Sequence, residues 1–136
     1  AVMVAAHLKS NDMEKKFILD TLLPYKQDPT TCAKNEEGGC SYLTTDGRKC
    51  AVGKHLIDGE HQMSALYVSS LFYRYNPDDI LTEEAKQQQI SIDIWAKMQR
   101  YHDCVAVNFS NEIINDVVKE LEQLTGFELP ELMFEE

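Results

Sequence analysis

Apolar residues recur at helical spacing in four stretches of the chain. In the first stretch, Asn11 and Glu14 form the pattern of a capping box, and Pro24 follows the last apolar residue. The apolar positions expected to face the core here are Met13, Phe17, Ile18, Leu22 and Leu23. The four predicted helices span about residues 11–23, 63–75, 83–104 and 110–125.

The later helices are bounded by capping and helix-breaking residues. The second is expected to stop before Pro77, because a residue that precedes proline tends to leave the α region. Thr82 is expected to cap the third helix and Ser110 the fourth, which ends at Gly126. The apolar positions expected to form the buried face of the fourth helix are Ile113, Ile114, Val117, Val118, Leu121 and Leu124.

Residues 41–52 are predicted to form a β-hairpin around Asp46-Gly47. The Asp-Gly pair favours a two-residue type I′ turn, which requires a positive φ at both central residues. Counting outward from that turn places Leu43 opposite Cys50, with both side chains directed to the core. Cys50 is therefore expected to be buried and unbridged.

The sequence predicts an α+β fold in which this small hairpin packs against about four helices. With 136 residues, 43% of them hydrophobic, the chain is expected to form a single domain over residues 1–136. Its four cysteines are expected to be reduced in the cytoplasm, since the N-terminal apolar stretch is too short for a signal sequence. No stretch approaches the length of a membrane span.

The net charge of −10 is concentrated in the second part of the chain. Residues 1–56 carry eight basic and seven acidic residues, whereas residues 57–136 carry five and sixteen. This excess argues against direct binding of nucleic acid or of anionic lipid. It favours either simple solubility or an acidic surface that binds a protein partner, with a charge that imitates DNA. The candidate binding face consists of Glu112, Asp116, Glu120 and Glu122.

An aromatic cluster lies within the acidic part of the chain. It comprises Tyr67, Phe72, Tyr73 and Tyr75, with Arg74 as its one basic residue. Stacking platforms for single-stranded nucleic acid need a cationic groove beside the rings. The cluster is therefore predicted to pack in the core.

Two short motifs resemble those of a family of small uncharacterised bacterial and phage proteins. The first motif reads Cys40-Ser41-Tyr42 and then Asp46-Gly47-Arg48-Lys49-Cys50-Ala51-Val52-Gly53. The second reads Met98-Gln99-Arg100-Tyr101-His102-Asp103. Between them, Lys54-His55 precedes Leu56-Ile57-Asp58, where the family has Leu-Ile-Pro-Asp. The resemblance implies a compact α+β domain of phage or prophage origin that binds a host protein, and it implies no established activity.

Metal binding is the alternative interpretation of the cysteines and histidines. Cys32, Cys40, Cys50 and His55 fall within 24 residues, and a zinc site gathers four such ligands, usually from close pairs that this spacing lacks. The further ligands considered for a zinc-stabilised module or a metal-dependent hydrolase are His61, His102, Asp103, Cys104 and Asp116. The competing expectation is that His102 interacts with a helix C-terminus while Asp103 bonds to local backbone.

A nucleophilic Cys–His pair is the remaining enzymatic interpretation, with Cys50 or Cys104 as nucleophile and His55 or His102 as base. Cys104 lies near a helix C-terminus, which does not stabilise a thiolate, and Cys50 is on the predicted buried face. No catalytic residue, metal ion or cofactor is therefore predicted. The predicted function is that of a non-catalytic protein that binds and regulates another protein.

Overall fold

Helices account for most of the architecture in the computed structural model, which describes residues 2–34, 41–64 and 66–135, with backbone alone for residues 2–11. The six α-helices within these ranges are α1 (Val2–Gln27), α2 (Val68–Arg74), α3 (Pro77–Ile80), α4 (Glu83–Gln88), α5 (Ile92–Ala106) and α6 (Asn111–Thr125). Single 3-10 turns lie at Pro29–Thr31, Gly53–His55, Glu60–Met63 and Pro130–Leu132. None of the described residues lies in a strand of a sheet, so the fold is all-α.

The prediction of an α+β fold is wrong because residues 41–52 turn without forming a sheet. One isolated antiparallel bridge joins Leu43 to Lys49, rather than Leu43 to Cys50. The amide of Gly47 donates to the carbonyl of Thr44 at 3.0 Å, so Gly47 is the last residue of the turn and not a central one. Its φ of +90° confirms the predicted positive φ, while the predicted two-residue turn and its register are wrong.

Both backbone and side chains bind the polar backbone groups of this turn, since the Thr44 amide donates to the Arg48 carbonyl at 2.9 Å and the Cys50 amide to the Tyr42 carbonyl at 3.4 Å. The Arg48 amide donates to the Thr44 hydroxyl at 2.9 Å. The Arg48 guanidinium donates to the carbonyls of Cys32 and Lys34, each at 2.9 Å. Directly after Cys50 the chain coils into a helical turn, in which the Lys54 amide donates to the Cys50 carbonyl at 3.0 Å. Strand pairing therefore ends at Leu43 and Lys49, and the Arg48 side chain binds carbonyls of the neighbouring loop.

Two of the predicted helices have bounds that differ from those expected from their capping and helix-breaking residues. Helix α1 begins at Val2 and continues through Asn11 and Pro24, so the predicted start at residue 11 is wrong. The helix predicted over 63–75 contracts to α2, because Glu60–Met63 forms a separate 3-10 turn. Met13, predicted to face the core, is 55% exposed.

The helix predicted over 83–104 is two helices. Gln89 adopts the left-handed conformation with a φ of +52°, which ends α4. The Ser91 hydroxyl then accepts the Ile94 amide at 3.2 Å and opens α5. The predicted caps at Thr82 and Ser110 are confirmed, since each hydroxyl accepts an amide of the helix that follows.

Helix α5 lies at the centre of the core and packs against α1, α2 and α6. Its fully or almost fully buried side chains include Trp95, Met98, Tyr101, His102 and Cys104. Helix α6 covers α5 with a face that is rotated relative to the predicted one. Its buried residues are Ile114, Val117, Val118 and Leu121, whereas Ile113 and Leu124 are each 43% exposed.

Residues 127–135, here called the docking segment, pack along α1, α5 and α6 and contain the 3-10 turn Pro130–Leu132 as their one regular element. Leu129 and Leu132 are fully buried. Asn115 binds the backbone of Phe134 twice, accepting from its amide at 2.7 Å and donating to its carbonyl at 2.8 Å. The Tyr101 hydroxyl donates to the Leu132 carbonyl at 2.9 Å. The segment therefore completes the core beneath α5.

We expect Gly53→Ala to destabilise the protein by at least about 2 kcal/mol. A Cβ atom at Gly53 would lie 2.0 Å from the carbonyl oxygen of Tyr42, so backbone must move. The matched control is Gly47→Ala, where a Cβ has nothing within 4 Å and the positive φ alone costs about 1 kcal/mol. Urea unfolding measures both, and equal destabilisation of the two variants would contradict the close approach.

Candidate functional site

The two sequence motifs meet in the interior and bind each other. The Gln99 side chain accepts from the Val52 amide at 3.2 Å and donates to the Asp103 carboxylate at 2.8 Å. The same Asp103 oxygen accepts from Nδ1 of His102 at 2.9 Å. Nε2 of His102 accepts from the Ala33 amide at 2.9 Å. We call these five residues the motif network.

The protonation of His102 follows from its partners. A backbone amide can only donate, so Nε2 must present its lone pair to Ala33 and the ring proton lies on Nδ1. The neutral ring is fully buried and lies nearly perpendicular to the Tyr25 ring, at a centroid distance of 4.6 Å. The expectation that Asp103 bonds to local backbone is wrong, because its partners are the side chains of Gln99 and His102. Both ring nitrogens are thus occupied within the protein.

The described cysteines are buried and unbridged, as predicted for Cys50. Burial raises the pKa of the Cys50 thiol to about 12 and that of Cys32 to about 11. Burial also raises the pKa of Cys104. A nucleophilic cysteine needs the opposite shift, because the thiolate is the reactive species. These environments therefore suit packing rather than nucleophilic attack.

The proposed metal ligands do not come together in the described ranges. No group of three or more His, Cys, Asp or Glu side chains there is placed to hold a metal ion. His55 is bonded to Thr21 and His61 to the Ile57 carbonyl, each through Nε2. Asp116 is exposed on α6. Cys40, which belongs both to the first motif and to the candidate zinc set, lies outside the described residues.

The other residues of the first motif hold the loop that contains them. The buried Tyr42 donates its hydroxyl proton to the Leu66 carbonyl at 2.6 Å. Asp46 accepts from the Thr44 hydroxyl and from Nε of Arg48, and these hydrogen bonds lower the pKa of its carboxyl group. Gly53 packs its Cα against the backbone of Tyr42. These contacts hold the backbone of the loop in place, so the described residues of the first motif have a structural role.

The half-buried His55 packs against aromatic residues of the core, a role that the sequence did not predict. The Thr21 hydroxyl donates to the Phe17 carbonyl at 2.8 Å, so it accepts the proton of His55 Nε2, also at 2.8 Å. The His55 ring lies 4.4 Å from that of Phe17 and 5.6 Å from that of Trp95. Burial, and then the nearby Lys54 charge, lowers the pKa of His55 to about 4.

Lys54 lies beside this histidine and is itself half-buried. Its ammonium group donates to the Thr21 carbonyl at 2.9 Å and lies 3.9 Å above the Tyr25 ring centroid. Burial lowers the pKa of this lysine. Tyr25 in turn donates its hydroxyl proton to the Lys49 carbonyl at 2.6 Å. The cation is thus held by α1 rather than presented to solvent.

The four acidic residues of the candidate binding face differ in their surroundings. Glu112 and Asp116 are exposed, and neither forms an ion pair with another described residue. Glu120 pairs with Lys97 of α5. Glu122 accepts the Leu129 amide at 2.6 Å and so fastens the docking segment. Two of the four are therefore free to meet a partner, while Glu122 has a structural role.

The aromatic cluster is divided between core and surface. Phe72 is buried, but Tyr67 is 86% and Tyr73 94% exposed, so the prediction of core packing is wrong for these two. Near them opens a shallow groove with a volume of about 340 Å³. Its lining consists of Glu60, Met63, Ser64, Leu66, Arg74 and Tyr75.

Comparisons with protein-family models, with curated proteins and with solved structures found no match for this chain. The family resemblance carried by the two motifs therefore stays a prediction. No helix in the described ranges is long and apolar enough to cross a membrane.

We expect His102→Ala to destabilise the protein by roughly 3 kcal/mol, because it leaves the buried Ala33 amide without an acceptor and opens a cavity. The control is Asp116→Ala on exposed α6 surface, which is expected to change stability by less than about 0.5 kcal/mol. Chemical denaturation measures both. A His102→Ala variant as stable as the control would refute the structural role of the motif network.

We expect stability to fall as the pH is lowered from about 6.5 to 4. Over this interval the unfolded chain binds a proton at His55 that the folded protein does not, because the folded pKa is about 4. The loss attributable to His55 is roughly 3 kcal/mol and levels off below the folded pKa. His55→Phe keeps an aromatic ring against Phe17 and removes the titration. The pH dependence of urea unfolding should therefore be shallower in that variant, and an unchanged slope would exclude His55 as its source.

Proposed function

We propose that this chain is a non-catalytic binding protein whose helix α6 contacts a basic surface of a protein partner. The observation that carries the proposal is the pair of exposed carboxylates at Glu112 and Asp116, which lack ion-pair partners among the described residues. Ile113, which follows Glu112 in the helix, is an apolar side chain that is 43% exposed. Exposed apolar area with a polar, charged rim is typical of protein-binding surfaces.

The burial of the motif residues supports a binding role over a catalytic one. His102 has both ring nitrogens engaged, and the Asp103 oxygen that it contacts also binds Gln99. The Cys50 thiol is fully buried with a raised pKa. Side chains of the types that perform general acid–base or nucleophilic chemistry are therefore used to assemble the core. The chemistry available at the surface is mainly that of carboxylates.

The charge distribution supports a basic protein as the partner. A net charge of −10 repels nucleic acid and anionic lipid and accelerates association with a cationic surface. A second exposed acidic group on α3 and α4 adds to this field and consists of Asp78, Asp79, Glu83 and Glu84. The resemblance to small bacterial and phage proteins favours a host protein as the target, and the acidic charge favours a nucleic-acid-binding one. On this proposal the chain acts in the bacterial cytoplasm and imitates the charge of DNA.

The test compares two variants with the same change in net charge. Glu112→Lys/Asp116→Lys reverses the free carboxylates of α6, whereas Asp12→Lys/Asp58→Lys reverses two exposed acids elsewhere. Each protein is immobilised, bacterial cytosol is passed over it at about 0.1 M salt, and bound proteins are quantified by mass spectrometry. Retention of a basic protein should fall at least tenfold in the α6 variant and little in the control.

Salt provides the second measurement. Raising the ionic strength from about 0.1 M to 1 M shortens the Debye length from roughly 10 Å to 3 Å and should release the same basic protein. If every captured protein is retained equally by the α6 variant, or survives high salt unchanged, the acidic face serves solubility alone and the proposal fails.

A further inference from the structure

The docking segment is held through its backbone by side chains of α1, α5 and α6. The four side chains that bind its amides or carbonyls, here called the segment groove, are Lys26, Tyr101, Asn115 and Glu122. Side-chain recognition comes from Leu129 and Leu132, which are fully buried. Backbone hydrogen bonds combined with pockets for a few side chains are the way in which proteins bind separate peptides.

Hydrogen bonds within the docking segment form its 3-10 turn. The Leu132 amide donates to the Leu129 carbonyl, and the Met133 amide donates to the Pro130 carbonyl, each at 3.1 Å. Pro130 also restricts the backbone at the start of this turn, which lowers the entropy that docking costs. Because these bonds lie inside the segment, they are retained whichever molecule presents it to the segment groove.

Gly126 directs the docking segment back onto the helices of its own chain. Its φ of +83° is in the left-handed region, and a Cβ there would have nothing within 4 Å. The strain of any other residue at this position therefore comes from φ and is relieved when the backbone returns to a negative φ. Such a return changes the direction of the segment while leaving the segment and its groove intact.

We propose that the docking segment exchanges between two copies of this chain, so that each segment occupies the segment groove of the other copy. The occupant follows from the structure, because this groove is filled by this segment and both copies supply the same contacts. The link through Gly126 gives the segment an effective concentration on the order of millimolar at its own groove. The wild-type chain is therefore monomeric at micromolar concentration and exchanges as its concentration approaches millimolar.

The exchange is independent of the function proposed above and responds to salt in the opposite direction. Two copies that each carry a charge of −10 repel one another at low ionic strength. Raising the salt from about 0.1 M to 1 M screens this repulsion. The exchanged dimer should therefore become more stable at high salt, whereas a basic partner of α6 should be released.

The inference is tested with Gly126→Val in the full chain. Valine resists a positive φ, so the docking segment should leave its own groove. Size-exclusion chromatography with light scattering should show the mass rising from 15.6 kDa to twice that value with concentration. Self-association should be tighter than in the wild type by about tenfold or more. The matched control Gly47→Val, at a glycine with a φ of +90° and equally open surroundings, should stay monomeric.

A second pair of variants assigns the dimer to the segment groove. Asn115→Ala removes both hydrogen bonds to the Phe134 backbone, so adding it to Gly126→Val should weaken the dimer by about tenfold or more. The matched control adds Asp116→Ala, which removes an exposed side chain of the same helix and should leave the dimer intact.

Three results overturn the exchange of segments. These are a folded Gly126→Val protein that stays monomeric at every concentration, a dimer that Asn115→Ala leaves unchanged, and equal dimerisation of Gly47→Val. A dimer that dissociates at high salt also contradicts the inference. If Gly126→Val does not fold, Gly126→Ala imposes less strain and takes its place under the same criteria. None of these results bears on the capture of a basic protein by α6, which is tested by itself.

Discussion

The hydrogen bond from the Ala33 amide to the neutral ring of His102 ties an irregular loop to the central helix. At its other nitrogen the same ring reaches Asp103 and, through Gln99, the amide of Val52. Two segments distant in sequence are thereby held against one turn of α5. Buried amides require hydrogen-bond acceptors. The packing of both loops therefore depends on Gln99 and His102 of this turn of α5, and on a His102 ring whose Nε2 carries no proton.

Side chains elsewhere in the protein perform the same task for loop carbonyls. Arg48 binds the carbonyls of Cys32 and Lys34, Tyr25 binds that of Lys49, and Tyr42 binds that of Leu66. Irregular backbone in and around residues 41–52 is therefore fixed by hydrogen bonds from polar side chains.

Capping residues and glycines predict some parts of the fold correctly. The prediction fails where contacts between residues distant in the sequence determine the structure. The cap at Ser110, the end of α6 at Gly126 and the positive φ of Gly47 follow from the residues themselves. The contact between Ala33 and His102 joins residues 69 apart, and nothing near either position indicates it. Likewise, the Asp-Gly pair specified a turn, but no ladder follows because the chain coils into a helical turn directly after Cys50.

The candidate site shows the same division. The sequence identified the acidic residues of α6, and spacing placed Glu112, Asp116 and Glu120 on one side of the helix. It could not assign Glu122 to the Leu129 amide or Glu120 to Lys97, because both partners belong to other elements. The sequence predicts both Ile113 and Ile114 in the core, because two adjacent isoleucines fit the apolar pattern equally well. The orientation of α6 on α5 buries Ile114 and leaves Ile113 exposed.

The docking segment is recognised through its backbone. Asn115 contacts the amide and carbonyl of Phe134, Glu122 the amide of Leu129, and Tyr101 the carbonyl of Leu132. Two leucine side chains are fully buried there, while Pro130 and Glu131 are exposed. The segment therefore tolerates substitution at the exposed Glu128, where a label or epitope would leave its attachment intact, whereas Glu131 pairs with Lys15 and its carbonyl accepts a hydrogen bond from Lys26 of α1.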